Sequence, residues 1–322
     1  MAVYTKINKK NINSFIKNYN IGTIIKFKGI KEGIENTNYF VQTSKGKFIL
    51  TIYEKRTNKK DLPFFMKLMD NLNKNNFKCP KPIKNLDGQY ISLIKKKPAA
   101  IVSFLSGASK NSLSPDNCYQ VGIQVAEFHS ITKKISLKRN NSLSLASWEK
   151  LFKQVEKKSL KIGKNLPIKI KNSLIEIKKN WPKNLPKGII HADLFSDNIF
   201  FKNNNFSGFI DFYFSCNDFY AFEIAICLNA LCFDGKTANL SFNVTKAKKF
   251  IDGYSKIRSL SNNEKNSLKI LCKGAAIRFL LTRVFDALNT SEGAIVKIKD
   301  PMEYLKRLEF HKNSKNFEDY FF

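Results

Sequence analysis

The sequence predicts an α+β chain in two lobes, a small β-rich lobe over residues 1–106 and a larger, mainly helical lobe over residues 107–322. Up to Leu105 the apolar residues fall in short runs rich in Val, Ile, Phe and Tyr, separated by turn residues, as strands require. Beyond Ser106-Gly107 they recur three and four apart, the spacing of amphipathic helices. The chain has 322 residues, is 43% hydrophobic and contains 28 Phe, enough for a substantial core.

The elements follow in order. IIKFKGI (Ile24–Ile30), NYFVQT (Asn38–Thr43) and KFILTIY (Lys47–Tyr53) read as three strands, the last two joined through Ser44-Lys45-Gly46. A helix is expected from Asp61, with Pro63 in its first turn and Phe64, Phe65, Leu68, Met69 and Leu72 on one face. Gln89–Lys95, after the turn Leu86-Asp87-Gly88, and Ala100–Leu105 are two further strands. The first lobe is therefore a small antiparallel sheet with one helix. Helices are then expected at Asn117–Ile131, Trp148–Lys158, Ile168–Asn180, Phe219–Phe233, Val244–Arg258 and Asn263–Leu288. Among them sits HADLFSDN (His191–Asn198), clamped between GII and IFF and followed by a hairpin that ends at Asp211.

A net charge of +30 suggests an anionic partner, yet its composition argues against a nucleic-acid surface. Of 56 basic residues only six are Arg (Arg56, Arg139, Arg258, Arg278, Arg283 and Arg307), leaving 50 Lys. Lys with abundant Asn, spread along the chain, is a compositional bias, whereas nucleic-acid surfaces favour Arg with interleaved aromatics. No specific nucleic-acid partner is expected, and a basic nucleic-acid-binding protein is the alternative from another class. No apolar run approaches a membrane span, so no membrane partner is expected either. MAVYTKINKKN lacks the apolar stretch of a secretory leader, and the six Cys form no C-x-x-C pair. Reduced thiols in the cytoplasm are the expectation. The oligomeric state is not legible.

HADLFSDN carries the chemistry. Apolar flanks hold Asp193 at a loop tip, where a carboxylate accepts a proton from a substrate hydroxyl. Asn198, five residues on, offers a carbonyl oxygen suited to Mg²⁺, and Asp211 ends the following hairpin with a second oxygen donor. A base, an Asn and a metal Asp are the parts that kinase-type phosphoryl transfer needs. The plainer alternative is that Asp193, Asp197 and Asn198 cap a turn. Asp197 is expected to shape the turn and His191 to orient the loop.

With these residues in place, the chain resembles the aminoglycoside-phosphotransferase-like kinases, relatives of protein kinases, and within them the bacterial homoserine kinases of that type. The resemblance is carried by GIKEGIENTNYFV, KFILTIYEKR, DLPFFMKLMDNL, IIHADLFSDNIFF, IDFYFSCNDFYAFEIAICLNALCF and AAIRFLLTRVFD, spread over most of the chain. It implies a two-lobed protein-kinase-like fold and transfer of the ATP γ-phosphate to the hydroxyl of L-homoserine, a step of threonine synthesis. It implies Asp193 as base and Asn198 and Asp211 as Mg²⁺ ligands. Kinases for amino alcohols such as choline, or for aminoglycosides, are the alternatives within the class.

The remaining assignments follow from that resemblance. In the first hairpin Gly33, Asn36 and Asn38 are expected near the nucleotide phosphates, although no G-x-G-x-x-G is present. Ser103, Phe104 and Leu105 are expected at the adenine edge. Asp218 and Glu223 are candidates for the homoserine ammonium, Glu223 also for bracing the loop. Arg278 and Arg283 are candidates for its carboxylate. The strand lysine of protein kinases has no counterpart here: Thr51 stands near its place, Lys47 and Lys55 flank the strand, and the next helix lacks Glu. Phosphate neutralisation is thus expected to use Mg²⁺ and a cation the sequence does not identify. Phe212-Tyr213, not Phe-Gly, follows Asp211.

Overall fold

The structure is a computed structural model that describes residues 5–30, 36–54, 58–289, 299–314 and 316–321. It divides into two compact units, Met1–Gly107 with Ser207–Tyr213, and Ala108–Phe206 with Phe214–Phe322. The stretch Ser207–Tyr213, which sequence order places in the second lobe, clusters with the first unit.

In the first unit the order is α1 (Lys9–Ile16), β1 (Ile24–Ile30), β2 (Thr37–Thr43), β3 (Gly46–Ile52), α2 (Leu62–Lys74), β4 (Pro82–Ile83), β5 (Ser92–Ile94) and β6 (Lys97–Ser103). One antiparallel sheet runs β1-β2-β3-β6-β4, with β5 also paired to β6. Strand periodicity builds its core: Thr37, Tyr39, Val41 and Thr43 alternate inward on β2, as do Phe48, Leu50 and Ile52 on β3. Ile12, Phe15 and Ile16 of α1 join this core. The sequence reading missed α1, because KKNINSFI is short and polar; a reciprocal Asn8–Asn11 capping box fixes its start. Helix α2 buries Leu62, Phe65, Met66, Leu68, Met69 and Leu72, with Pro63 in its first turn.

The second unit comprises β7 (Ala108–Ser109), α3 (Pro115–Thr132), α4 (Leu145–Val155), α5 (Leu166–Asn180), β8 (Lys187–Ile190), β9 (Ile199–Lys202), the start of β10 (Asn205–Phe209), β11 (Cys216–Phe219), α6 (Tyr220–Leu231), β12 (Phe233–Asp234), β13 (Ser241–Phe242), α7 (Val244–Ser255), α8 (Asn262–Asn289) and α9 (Met302–Asn313). Helix α8 is buried on all sides from Leu271 to Leu281 and packs against α4, α5, α6 and α9. Helices α3 and α7 approach closely at two glycines. A Cβ on Gly122 would lie 2.0 Å from the Phe250 carbonyl oxygen, and one on Gly253 2.1 Å from that of Tyr119. The sequence reading also missed α9, which buries Tyr304, Leu305 and Leu308.

Among the described residues no helix is long and apolar enough to cross a membrane. All six cysteines are free and buried.

Candidate active site

HADLFSDN connects β8 to β9 within the second unit. Strand β8 pairs antiparallel with β11, setting Ile190 opposite Cys216 and Gly188 opposite Asp218. The Thr132 hydroxyl at the end of α3 donates to the Ile189 carbonyl, 2.9 Å away. Ala192 then takes φ +65°, the left-handed region that an L-residue enters only under constraint. The constraint is Glu223 on α6. It is wholly buried and accepts the backbone N–H of His191 through Oε2 and that of Ala192 at 3.0 Å through Oε1. Burial pushes its carboxyl up, while the His191 and Ala192 amides and the nearby His191 and Arg278 charges oppose that shift.

The loop beyond this brace is ordered around Asp193. Its carbonyl accepts from the Phe195 N–H (3.0 Å) and from Asn198 Nδ2 (2.8 Å). Asn198 Nδ2 also lies 3.2 Å from the Asp193 carboxylate, so the carboxamide oxygen is the Asn198 atom left to meet a cation. Leu194 is buried, and the Phe195 ring meets Phe279 of α8 edge-on at 4.8 Å. Burial raises the Asp193 carboxyl to about 6. Arg278 is the largest opposing influence, followed by repulsion from Asp197, attraction from Lys299 and repulsion from Glu223.

Arg278 projects from α8 with 1% exposure, beside the rings of Phe279 (4.7 Å) and Phe214 (5.9 Å). Its charge is felt at Asp193, Asp218 and Glu223, yet Nε and Nη1 have no hydrogen-bond partner. A buried guanidinium with two idle donors is costly unless a ligand completes it. Asp218 on β11 accepts from Asn141 Nδ2 at 2.6 Å and from the Phe219 N–H at 2.7 Å. Burial raises it, against those bonds and Arg278. Asn141 belongs to a segment tied to β11: the Arg139 N–H donates to Asn217 Oδ1 at 2.7 Å, and its Nη1 to the Ser215 carbonyl at 3.0 Å. Sequence reasoning had no signal for Asn141, because its role depends on β11 lying beside it.

Both Glu223 oxygens hold backbone amides, so it braces the loop. Arg283 donates from Nη1 to Glu303 Oε2 (2.7 Å) and to the Asp300 carbonyl (2.8 Å), which uses its guanidinium at the start of α9. Arg278 and Arg283 therefore do separate work.

In the first unit Asp211 is exposed, with φ +62°. The residues after it are anchored: Tyr53 donates its hydroxyl to that of Tyr213 at 3.0 Å, and the Tyr213 ring lies edge-on to Tyr53 (5.3 Å) and Phe65 (5.5 Å). Burial pushes Tyr213 up to about 12, against its bond from Tyr53, with Asp211 adding to the rise. Gly33 and Lys55 lie outside the described residues. Asn36 Oδ1 accepts the Glu54 N–H at 3.2 Å, and Asn38 Oδ1 accepts from Thr51 at 2.8 Å. Both Asn side-chain oxygens thus fasten the sheet. After β6 the Ser103 and Phe104 amides donate to the carbonyls of Lys81 (2.8 Å) and Lys47 (3.0 Å). Of the expected three, Leu105 alone keeps its amide out of these pairings.

The chain belongs to the phosphotransferase enzyme family, whose model matches residues 26–257. Its relatives sharpen this. It is 45% identical to the homoserine kinase of Allorhizobium ampelinum over 97% of this chain and 96% of that one. It is likewise 45% identical to the homoserine kinase of Xanthobacter autotrophicus over 99% of each. Among solved structures an amicoumacin kinase superposes with a TM-score of 0.71 at 12% identity, over 97% of this chain and 95% of that one. Helices with an antiparallel sheet are the fold of this family.

Proposed function

We propose that the protein is an ATP-dependent homoserine kinase. The carrying observation is Arg278, a buried guanidinium with two unpartnered donors in the unit that holds Asp193. It calls for an acceptor with a carboxylate, which homoserine has and choline, ethanolamine and aminoglycosides lack. The sequence likeness to homoserine kinases supports the same choice.

In this reading the homoserine carboxylate meets Arg278, its ammonium meets Asp218, and its hydroxyl donates to Asp193. Asp193 takes the proton as the hydroxyl oxygen attacks the γ-phosphorus. Glu223 and Asn198 fix the loop so that the carboxylate points at the acceptor. The Leu105 backbone is assigned to the adenine edge. Asn198, through its carboxamide oxygen, and Asp211 are assigned as Mg²⁺ ligands. Hard oxygen donors suit that ion, and among the described residues no cluster of three or more His, Cys, Asp or Glu forms a dedicated cage. One Asn and one carboxylate suffice, because nucleotide phosphates and water fill the remaining positions. Mg²⁺ there would neutralise phosphate charge.

The test is a panel of acceptors with ATP and Mg²⁺, using wild type and Asp193→Asn. Turnover of L-homoserine that Asp193→Asn abolishes is expected. Turnover of choline or an aminoglycoside in place of homoserine would overturn the substrate, and full activity of Asp193→Asn would overturn the base.

A further inference from the structure

Phosphoryl transfer puts negative charge on the moving group, and cations beside the reacting atoms stabilise it. The position where protein kinases carry a strand lysine is held by Thr51, whose hydroxyl donates to Asn38 at 2.8 Å. Helix α2 has no Glu to pair with such a lysine. Cations stand instead beside the catalytic loop. Arg278 lies enclosed beneath it, with idle donors that suit an acceptor carboxylate. Lys299 lies at its rim.

Lys299 touches HADLFSDN twice. Its Nζ is 3.3 Å from Asp197 Oδ2 and 5.0 Å from the centre of the Phe195 ring. The Lys299 side chain is 47% exposed and that of Asp197 59%. An ion pair in such a setting is weak, so a stronger anion can take the ammonium from it. The backbone beside Lys299 is held firmly. The Asp300 carbonyl accepts from Arg283 at 2.8 Å, while its carboxylate accepts the Met302 N–H at 2.8 Å and the Thr237 hydroxyl. A fixed backbone thus carries a flexible, solvent-facing cation over the loop. An acceptor hydroxyl bonded to Asp193 sits about 3 Å from it, and the phosphorus it attacks about 3 Å further. The Lys299 charge also acts on Asp193, so the carboxylate that would hold the acceptor hydroxyl and this ammonium share one loop.

We propose that Lys299 is a catalytic residue: its ammonium leaves Asp197 and contacts the phosphoryl oxygens during transfer, supplying a cation that Thr51 cannot. The acceptor oxygen forms the new O–P bond, the bond to the β,γ-bridging oxygen breaks, and the hydroxyl proton goes to Asp193; Lys299 exchanges no proton. The inference rests on the reading of this site as a kinase for a hydroxyl acceptor.

The experiment is steady-state kinetics of Lys299→Ala and Lys299→Arg with L-homoserine and ATP, plus inhibition by O-phospho-L-homoserine. In Lys299→Ala we expect kcat to fall about 10- to 100-fold, homoserine KM to stay within about threefold, and the product's inhibition constant to rise about tenfold. Lys299→Arg restores most of kcat, and added ethylammonium partly rescues Lys299→Ala but not Asp193→Asn. Unchanged kcat in Lys299→Ala overturns the proposal, as does a rise in homoserine KM alone, which would make Lys299 a carboxylate ligand. Absence of homoserine turnover in wild type would instead remove the underlying reading. Circular dichroism and melting temperature separate a kinetic loss from misfolding, which a substitution at an exposed side chain is not expected to cause.

Discussion

Replacing Arg278 by Gln tests the acceptor assignment most directly. In the free protein the guanidinium is buried and presents Nε and Nη1 without partners. If they hold the acceptor carboxylate as a bidentate pair, removing the charge costs about 3–4 kcal/mol of binding, the range for truncating one side of a buried, hydrogen-bonded ion pair. At about 1.4 kcal/mol per decade, kcat/KM for homoserine falls about 10²- to 10³-fold. The contact is made equally before and during transfer, so most of the loss appears in KM. A second acceptor completes the cycle: 3-amino-1-propanol keeps the ammonium and hydroxyl of homoserine and lacks the carboxylate. Wild type should prefer homoserine by roughly the same factor, and Arg278→Gln should bring the two acceptors close together, a coupling of about 3 kcal/mol. A coupled assay of ADP release gives all four kcat/KM values. If the substitution weakens both acceptors by the same factor, Arg278 does not contact the carboxylate and the assignment fails.

Three further outcomes follow from the same geometry. With the Asp193 carboxyl at about 6, kcat/KM should drop tenfold per pH unit on the acid side of that value, and Arg278→Gln should move this limb upward because Arg278 chiefly opposes the rise. The folded pKa lies above the ordinary one, so ionising Asp193 weakens the fold as pH rises from about 4 through 6; Asp193→Asn, while inactive, should gain about 3 kcal/mol at pH 8 and nothing below pH 4, measured by urea titration. Glu223→Gln replaces one acceptor oxygen with an NH₂ against a backbone N–H and should cost about 2–3 kcal/mol together with much of kcat, whereas Ala192→Gly, which removes the strain at φ +65°, should be neutral or stabilising by up to about 1 kcal/mol. Gly122→Ala drives a methyl to 2.0 Å from the Phe250 carbonyl and should lower stability by at least about 2 kcal/mol through separation of α3 and α7; an unchanged melting temperature would refute that packing.

What was legible in the sequence divides by range. Local pattern was enough for β1, β2, β3 and α2, whose periodicities show directly in IIKFKGI, TNYFVQT, GKFILTI and LPFFMKLMDNLNK. The contact between Asp193 and Asn198 is local as well, since they sit five apart and meet within one loop. Elements that depend on tertiary packing were missed. Helix α1 is eight residues with little apolar surface, and MEYLKRLEFHKN of α9 mixes charged residues with its buried Tyr304, Leu305 and Leu308. Partner choice was equally illegible. Arg278 and Arg283 look alike in AAIRFLLTRVFD, but Glu303 and the Asp300 carbonyl bind Arg283 from beyond its own helix, whereas Nε and Nη1 of Arg278 have no hydrogen-bond partner among the described residues. The partners of Asn36 and Asn38 are equally non-local: Thr51 of β3 donates to Asn38, and the Glu54 amide just beyond β3 donates to Asn36.

The aromatic anchoring beyond Asp211 bears on how the enzyme can be governed. For Asp211 to swing away, Tyr213 would have to leave Tyr53 and Phe65, abandoning two edge-on ring contacts and a hydroxyl bond whose other end, on Tyr53, is 2% exposed. Those losses sum to about 2–5 kcal/mol, so a displaced Asp211 would be populated at about 3% or less. Packing alone therefore holds Asp211 in one position, whether or not ligands are bound.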